Sequence, residues 1–150
     1  MSLFNTINDE IKKAMLAKDT LKLDALRAVK SALLLTRTEK GGQEDLAVEA
    51  EIKVLQKLVK QRKEAAEIYS QQNRLDLAQI EIDQANIIEE FLPKQLDQEE
   101  VKRILVQIIA EIGAVGSGDM GKVMGLATKR MAGKADGRVI SQLVKELLSN

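Results

Sequence analysis

The amino-acid sequence predicts an all-helical fold in two parts: an N-terminal helical domain with one long helix (1–92), and a compact three-helix domain (93–150), joined by a short proline-containing hinge. Three observations support this prediction. Apolar residues recur every three or four positions along most of the chain, which is the spacing of amphipathic helices. No segment alternates polar and apolar residues over the length of a strand. The only proline is Pro93, so long helices can run without interruption.

Two helices are expected before the first glycine pair. Ser2 or Asn5 is suited to cap the first helix, and Asp19 or Thr20 the second, because their side-chain oxygens accept hydrogen bonds from free N–H groups. The two apolar faces comprise Leu3, Ile7, Ile11 and Met15, and then Leu23, Leu26, Val29 and Leu33. Gly41 and Gly42 then predict a loop.

A third, long helix is predicted from about Gln43 to Gln72. Its apolar positions alternate in steps of four and three, as in a coiled coil, with one charged interruption at Arg62. These positions are Val48, Ile52, Leu55, Val59, Arg62, Ala66 and Tyr69. At 1.5 Å per residue such a helix would span about 45 Å. It therefore needs partners along its length, and the neighbouring helices are expected to provide them.

The fourth helix is expected to start after the turn at Asn73 and Arg74, with Asp76 as its cap. Its apolar residues form two stripes, which predicts burial between neighbouring helices. The stripes are Leu75, Ala78, Ile82, Ala85, Ile88 and Leu92, and Leu77, Ile80, Ile87 and Phe91. Pro93 is expected to end this helix and to mark the domain boundary.

Three further helices are predicted after Pro93. Asp97 and Glu100 have the spacing of a capping box for the fifth helix, and Asp136 is placed to cap the seventh. The three apolar faces are Val101, Ile104, Leu105, Ile108, Ile109 and Ile112; Met120, Val123, Met124, Ala127 and Met131; and Val139, Ile140, Leu143, Val144, Leu147 and Leu148. The methionines could line an adaptable groove for a partner, but core packing is the preferred interpretation.

The composition excludes several kinds of function. The 150 residues include no cysteine and no histidine. This excludes disulfides, thiolate metal sites, a Ser-His-Asp triad and an imidazole base. No cofactor is expected. No apolar run approaches the ~20 residues of a membrane span, and the N-terminus resembles neither a signal nor a transit peptide, so a cytoplasmic protein is expected.

The segment Gly116–Lys122 matches the spacing of two phosphate-binding motifs, G-x-G-x-x-G and G-x-x-x-x-G-K. Both motifs require a strand before the loop, but a helix is predicted there. The second also requires Ser or Thr after the lysine, where this chain has Val123. We therefore interpret the glycines as a tight turn between helices, and Gly121 as a residue that lets two helices approach closely.

The C-terminal domain contains a local excess of positive charge. Residues 119–145 contain six basic and two acidic residues, although the whole chain has 23 of each. The basic residues, our candidates for RNA contact, are Lys122, Lys129, Arg130, Lys134, Arg138 and Lys145. The alternative is an ordinary solvated face. Aromatic residues make up only 2% of the chain, so RNA would be recognised through its phosphates and shape.

A second basic cluster lies on the predicted long helix. It consists of Lys57, Lys60, Arg62 and Lys63, accompanied by Glu49, Glu51, Glu64 and Glu67. The pairs Lys60–Glu64 and Lys63–Glu67 have i,i+4 spacing, which predicts a self-compensating, solvated face.

Taken together, several segments resemble the GatB/YqeY family, which is similar to the C-terminal part of the B subunit of the glutamine-dependent aminoacyl-tRNA amidotransferase. The resemblance covers essentially the whole chain. It rests on residues 25–33 (ALRAVKSAL), the long charged helix, residues 91–101 (FLPKQLDQEEV), residues 118–125 (GDMGKVMG) and residues 133–148 (GKADGRVISQLVKELL).

The resemblance implies a helical domain joined by a hinge to a three-helix domain that helps to hold tRNA. It also associates the chain with carbon–nitrogen ligation that uses glutamine as the nitrogen donor. In the amidotransferase this chemistry belongs to the A subunit and to the cradle domain of the B subunit, which this chain does not contain. Lys122, Lys134 and Arg138 lie in the matching segments and are the leading candidates for tRNA contact.

Three hypotheses follow from the sequence. The first is a non-catalytic tRNA-binding accessory module that acts with an amidotransferase or an aminoacyl-tRNA synthetase. The second is a protein-interaction module without RNA binding, which would dock a partner on the long third helix or the methionine-bearing sixth. The third, ranked last, is amidotransferase activity in the isolated chain.

Overall fold

The computed structural model describes residues 2–42 and 45–149, and this part of the chain folds into α-helices without strands, which confirms the predicted fold class. The seven helices are α1 (Leu3–Ala17), α2 (Thr20–Glu39), α3 (Val48–Gln71), α4 (Leu75–Glu89), α5 (Gln98–Ile112), α6 (Met120–Arg130) and α7 (Gly137–Leu148). A short 3₁₀ turn, Ser117–Asp119, precedes α6. The internal contacts divide the chain between Leu92 and Pro93 into two compact units.

Four predicted helix caps form as expected. The Ser2 hydroxyl accepts a hydrogen bond from the N–H of Asn5, and the Asp19 carboxylate accepts one from Lys22. Asp97 and Glu100 make both hydrogen bonds of a capping box at α5. Asp136 caps α7 by accepting from the N–H of Arg138. These caps satisfy N–H groups that the first helical turn cannot pair internally.

The predicted ends of α3 and α4 were partly wrong. Helix α3 begins at Val48, not near Gln43, which lies outside the described residues. Its 24 residues span about 36 Å, not 45 Å. Asp76 does not cap α4. Residue Arg74 occupies the cap position, and its guanidinium pairs with the Asp76 carboxylate at 3.2 Å. Helix α4 ends at Glu89, before Pro93 can interrupt it.

The first unit is built around the antiparallel pair α3 and α4, against which α2 packs, and α1 packs on α2. The buried core residues are Ile7, Ala14, Ala25, Leu26, Val29, Leu33, Leu55, Val59, Ala85 and Ile88. Arg62, the charged interruption of the α3 pattern, is accommodated at the α3–α4 contact. Its Nε donates to Gln84 Oε1 at 3.2 Å, and its Nη1 donates to the carbonyl of Leu58 at 3.3 Å.

The prediction that α4 is buried on both stripes was wrong for its N-terminal half. Ala85 and Ile88 join the core, but Leu75 remains 64% exposed, Ile80 45% and Ile82 39%. One apolar side of this half therefore packs on α3 while other apolar residues face away from it. Hydrophobic periodicity alone did not distinguish a helix that is covered along its whole length from one whose N-terminal half is covered on one side only.

The second unit is a three-helix bundle with its own aliphatic core. Its buried residues are Val101, Leu105, Ile108, Val123, Ala127, Met131, Ile140, Val144 and Leu148. Met120 and Met124 pack against this cluster, so the methionines fill the core as predicted. The segment before α5 belongs to the same unit. Gln95 Nε2 donates to the carbonyl of Gly133 at 2.7 Å, and the N–H of Leu96 donates to the carbonyl of Lys134 at 2.8 Å.

A carboxylate on α3 is hydrogen-bonded to the first residue of α1. Glu51 Oε2 accepts a hydrogen bond from the N–H of Leu3 at 3.1 Å. The site lies beside a small pocket whose apolar walls include Phe4, Leu33 and Leu46. Burial raises the pKa of Glu51, and the nearby Asp45 carboxylate adds to this, against the opposing hydrogen bond from Leu3. The charged form is therefore disfavoured in the folded state.

Glu51→Gln is expected to make the protein more stable than the wild type at pH 7. A raised folded-state pKa means that the folded protein binds the proton more tightly, so wild-type stability falls as the pH rises above the ordinary value of 4.5. Gln keeps an acceptor for Leu3 and removes this dependence. Denaturant unfolding at several pH values should show the difference closing as the pH falls below 4.5. Glu51→Ala, which loses the acceptor, should be less stable than Glu51→Gln by about 1 kcal/mol. A Gln variant less stable than the wild type at pH 7 would contradict this expectation.

Candidate nucleic-acid interface

The six basic residues predicted to contact RNA are all exposed in the second unit. Lys122, Lys129 and Arg130 lie on α6, Lys134 lies in the turn after it, and Arg138 and Lys145 lie on α7. Val123 and Ala127 bury the opposite face of α6 in the core. Lys122 and Lys129 are seven positions apart, so they project from one outer face, about 10 Å apart along the helix axis.

Arg130 differs from the other five in having an acidic partner. Its guanidinium makes a two-pronged ion pair with Glu111 of α5. Among the described residues, no carboxylate oxygen lies within 4.0 Å of the charged nitrogen atoms of the other five side chains. The pair gives Arg130 a role in holding α5 and α6 together, while the remaining charges stay available to a ligand.

The helix dipole explains the position of some of these basic residues but not of others. Lys129 and Arg130 lie in the last turn of α6 and Lys145 in the last turn of α7, where a cation interacts favourably with the helix dipole. Lys122 and Arg138 lie in the first turns of the same helices, where the dipole disfavours a cation. Helix energetics therefore account for three of the residues and leave these two without a structural explanation.

Lys134 lies in a turn with a fixed backbone. Its N–H donates to the carbonyl of Met131 at 2.9 Å, and its own carbonyl accepts from Leu96. Gly133, directly before it, has a positive φ of 75°, a conformation that favours glycine. The side chain of Lys134 is nevertheless exposed. The turn thus presents an ammonium group from a rigid support, close in the chain to Arg138.

The glycine-rich segment before α6 does not have the architecture of a nucleotide-binding loop. Helix α5 precedes it, and the part of the chain that the structure describes has no strand to feed it. Asp119 Oδ2 accepts a hydrogen bond from the N–H of Val115 at 3.1 Å, which fixes the loop internally. Gly116 is extended, and only Gly113, at the end of α5, has a positive φ here.

The proposed role of Gly121 was wrong. A Cβ built on Gly121 would meet no atom within 4 Å, so no neighbouring helix approaches it closely, and the same holds for Gly125. Both residues lie inside α6, where glycine is less favourable than alanine. The packing of the described chain gives no reason for either glycine.

Gly125→Ala is expected to stabilise the second unit by about 0.5–1 kcal/mol, because alanine loses less backbone entropy in a helix and has room for its methyl group. Thermal or denaturant unfolding measures the effect. Gly113→Ala is the matched control. It also has open space, but its φ of 67° disfavours a side chain, so the same substitution should destabilise there.

The basic cluster on α3 is not compensated in the predicted way. Neither Lys60–Glu64 nor Lys63–Glu67 is among the ion pairs of the described residues; Lys63 instead pairs with Glu89 of α4 at 2.6 Å. The i,i+4 rule considers only residues of the same helix. It could not predict an ion pair with Glu89, because the sequence does not show which face of α3 packs against α4.

Metal-binding and membrane-spanning features are absent or weak in the described residues. No group of three or more His, Cys, Asp or Glu side chains is arranged to hold a metal ion. No single helix is long and apolar enough to cross a membrane; the pair Gln98–Ile112 and Ser117–Arg130 passes by length and composition only, with a bend of 96°.

Comparison with known proteins agrees with the resemblance seen in the sequence. The chain is 34% identical over 116 residues, 75% of its length, to "Altered inheritance of mitochondria protein 41, mitochondrial" of Clavispora lusitaniae. It is 35% identical over 88 residues, 59% of its length, to the protein of the same name from Meyerozyma guilliermondii. A 65-residue match, 41% of the chain, is 38% identical to a glutamyl-tRNA(Gln) amidotransferase subunit of Thermococcus gammatolerans.

These matches span 66%, 45% and 10% of the three relatives' own lengths.

The model of one family, described as Yqey-like protein, matches residues 4–148, nearly the whole chain. The match to an amidotransferase subunit is consistent with the predicted relation to that enzyme. The chain therefore belongs to the YqeY-like family.

Proposed function

We propose that this protein is an RNA-binding accessory module that holds tRNA through its phosphates and does not catalyse a reaction alone. The observation that carries the proposal is the placement of Lys122 and Arg138. Both are exposed, have no acidic partner among the described residues, and lie where the helix dipole disfavours them. A bound phosphate beside either side chain would offset this conflict by pairing with the cation; at α7 the N–H of Arg138 itself already donates to the Asp136 carboxylate.

Recognition would depend on charge and shape and not on stacking with bases. The second unit contains no aromatic residue, since Phe4, Tyr69 and Phe91 all precede it. Phosphate contacts from Lys and Arg bind RNA without reading its sequence. In the proposal, tRNA identity is therefore supplied by a partner enzyme, and this chain adds affinity.

An amidotransferase is the partner that one of the relatives favours. The name of the Thermococcus gammatolerans relative refers to glutamyl-tRNA, and its matched region is a small part of that protein. An aminoacyl-tRNA synthetase is the second option within the proposal. The cytoplasmic location predicted from the sequence stays a prediction, and the names of the Clavispora lusitaniae and Meyerozyma guilliermondii relatives favour mitochondria.

Binding of the purified chain to mixed tRNA, measured at several salt concentrations, tests the proposal. We expect log K to fall linearly with log[salt], by about 0.7–0.9 for each phosphate neutralised. Four or five contacts would give a slope of about −3 to −4.5. Absence of binding at about 50 mM salt would refute the proposal.

The exposed apolar residues of α4 favour a second function, a protein-interaction module. Leu75 and Ile82 are seven positions apart on one face, and both are exposed. This hypothesis expects a stoichiometric protein partner that remains bound after nuclease treatment and is lost in Leu75→Ser/Ile82→Ser. Partner binding that disappears with nuclease would support the RNA proposal instead.

A further inference from the structure

We infer that the outer face of the N-terminal half of α4 is a docking surface for a basic amphipathic helix of a partner protein. The inference rests on the protein-interaction function proposed above, for which it names the chemistry of the partner, and it does not depend on tRNA binding. The face consists of two neighbouring rows of residues at helical spacings of four and three. One row is Leu75, Gln79 and Ile82, and the other is Asp76, Ile80 and Asp83.

The apolar residues of this face lie on a part of the hairpin that has no large core of its own. Leu75, Ile80 and Ile82 are all exposed. Beneath them, the small residues Ala66 and Ala78 are buried, but neither belongs to the core cluster that α1 and α2 complete. This half of the α3–α4 pair therefore lacks a third helix over its larger apolar residues, and a partner helix would bury them.

The charge around this face is strongly negative. Helix α4 contains no Lys or Arg. Residues 64–83 contain five acidic residues and one basic residue, a net charge of −4 in a chain whose net charge is zero. The basic residue, Arg74, is paired with Asp76. The last basic residue of α3, Lys63, pairs with Glu89 at the other end of α4 and does not offset this charge.

This charge favours a basic protein segment over other occupants. A second copy of the chain, docked through the same face about a two-fold axis, would bring the Asp76 and Asp83 carboxylates of both copies together. The phosphates of RNA would be repelled as well. Asp83 accepts a hydrogen bond from Gln79 at 2.8 Å, and no Lys or Arg nitrogen of the described chain lies within 4.0 Å of it. A helix whose apolar stripe is flanked by Lys or Arg would match both the apolar and the acidic residues.

The test measures the fluorescence anisotropy of a labelled 15-residue peptide, the length of α4, as the full chain is added. The peptide is an amphipathic helix with leucines on one face and lysines on both sides of them. We expect one-to-one binding that weakens as salt rises. Asp76→Asn/Asp83→Asn should weaken it about fivefold, because two ion pairs are lost. The control, Asp24→Asn/Glu39→Gln, removes the same charge from two exposed residues of α2 and should bind like the wild type.

A second variant tests the apolar half of the surface. Leu75→Ser/Ile82→Ser should weaken peptide binding by about tenfold, because the apolar area buried by the peptide is reduced. Both side chains are exposed and lie outside the core cluster, so the fold should be retained, as circular dichroism would show. A peptide with glutamate in place of every lysine should not bind.

Absent binding of the lysine peptide, equal binding of the glutamate peptide, or equal weakening in the α2 control would each overturn the inference. A cellular partner that is lost in Leu75→Ser/Ile82→Ser but kept in Asp76→Asn/Asp83→Asn would overturn the basic partner and leave the protein-interaction function standing. Peptide binding by a wild-type chain that does not bind tRNA would support the inference and refute the RNA-binding proposal alone.

Discussion

Leu105→Ala is expected to remove a large fraction of the stability of the second unit while leaving the stability of the first unit unchanged. Leu105 is fully buried in α5 at the centre of the second core. Replacing a buried leucine by alanine costs about 3 kcal/mol, from lost burial and from the cavity left behind. A unit of this size has a total stability of about 3–9 kcal/mol, so the loss is a large fraction. Hydrogen exchange, resolved by peptide, should show protection strongly lowered in residues 93–149 and unchanged in residues 2–92.

The matched variant is Leu26→Ala, because Leu26 is equally buried in the first core. It should reverse the pattern, with protection strongly lowered before Leu92 and unchanged after Pro93. The two variants together test the prediction that 1–92 and 93–150 are separate domains, since the two clusters share no buried residue. A single cooperative loss of protection across the chain in both variants would show that the units do not fold independently.

Lys134→Glu and Arg138→Glu are each expected to weaken tRNA binding by about tenfold, equivalent to about 1.4 kcal/mol, and to lower the salt slope by about one. Each change removes a cation from a phosphate contact and puts an anion in its place. Arg138→Glu offers an unusually clear separation of binding from stability. It places an acidic residue in the first turn of α7, where the helix dipole favours it, so the fold should be no less stable.

Lys102→Glu is the control for this pair. Lys102 is exposed on α5 in the same unit but is not among the candidate residues. Filter binding or fluorescence anisotropy at two salt concentrations should show wild-type affinity for this variant. Equal weakening by Lys102→Glu would mean that tRNA responds only to net charge, and the candidate interface would then have no specific location.

Helix existence, core membership and most caps could be predicted from the sequence because they depend on local patterns. The apolar stripe through Leu105 and Ile108 and the capping box at Asp97 are examples. The sequence did not predict features that depend on which face of one helix packs against another helix. Periodicity did not show that Lys63 would pair with Glu89 of another helix, or that Ile80 would lack a covering helix.

The candidate interface was named from charge composition, and only the family resemblance ranked Lys122, Lys134 and Arg138 above the other basic residues. Counting charges identified six basic residues and gave no reason to separate them. The helix ends and ion pairs of the structure distinguish Lys122 and Arg138 from Arg130, which is paired with Glu111. The interpretation of Gly121 was wrong for a related reason. A glycine in a sequence shows that a second helix could pack closely there, but it does not show whether one does.

The hydrogen bonds made by Gln95 and Leu96 determine where the chain can be cut. A fragment starting at Asp97 would keep the whole capping box and all three helices, yet it would leave the carbonyls of Gly133 and Lys134 without these donors. The turn that presents Lys134 would then lose two of its restraints. A recombinant version of the C-terminal unit should therefore begin at or before Pro93, although no regular helix starts until Gln98.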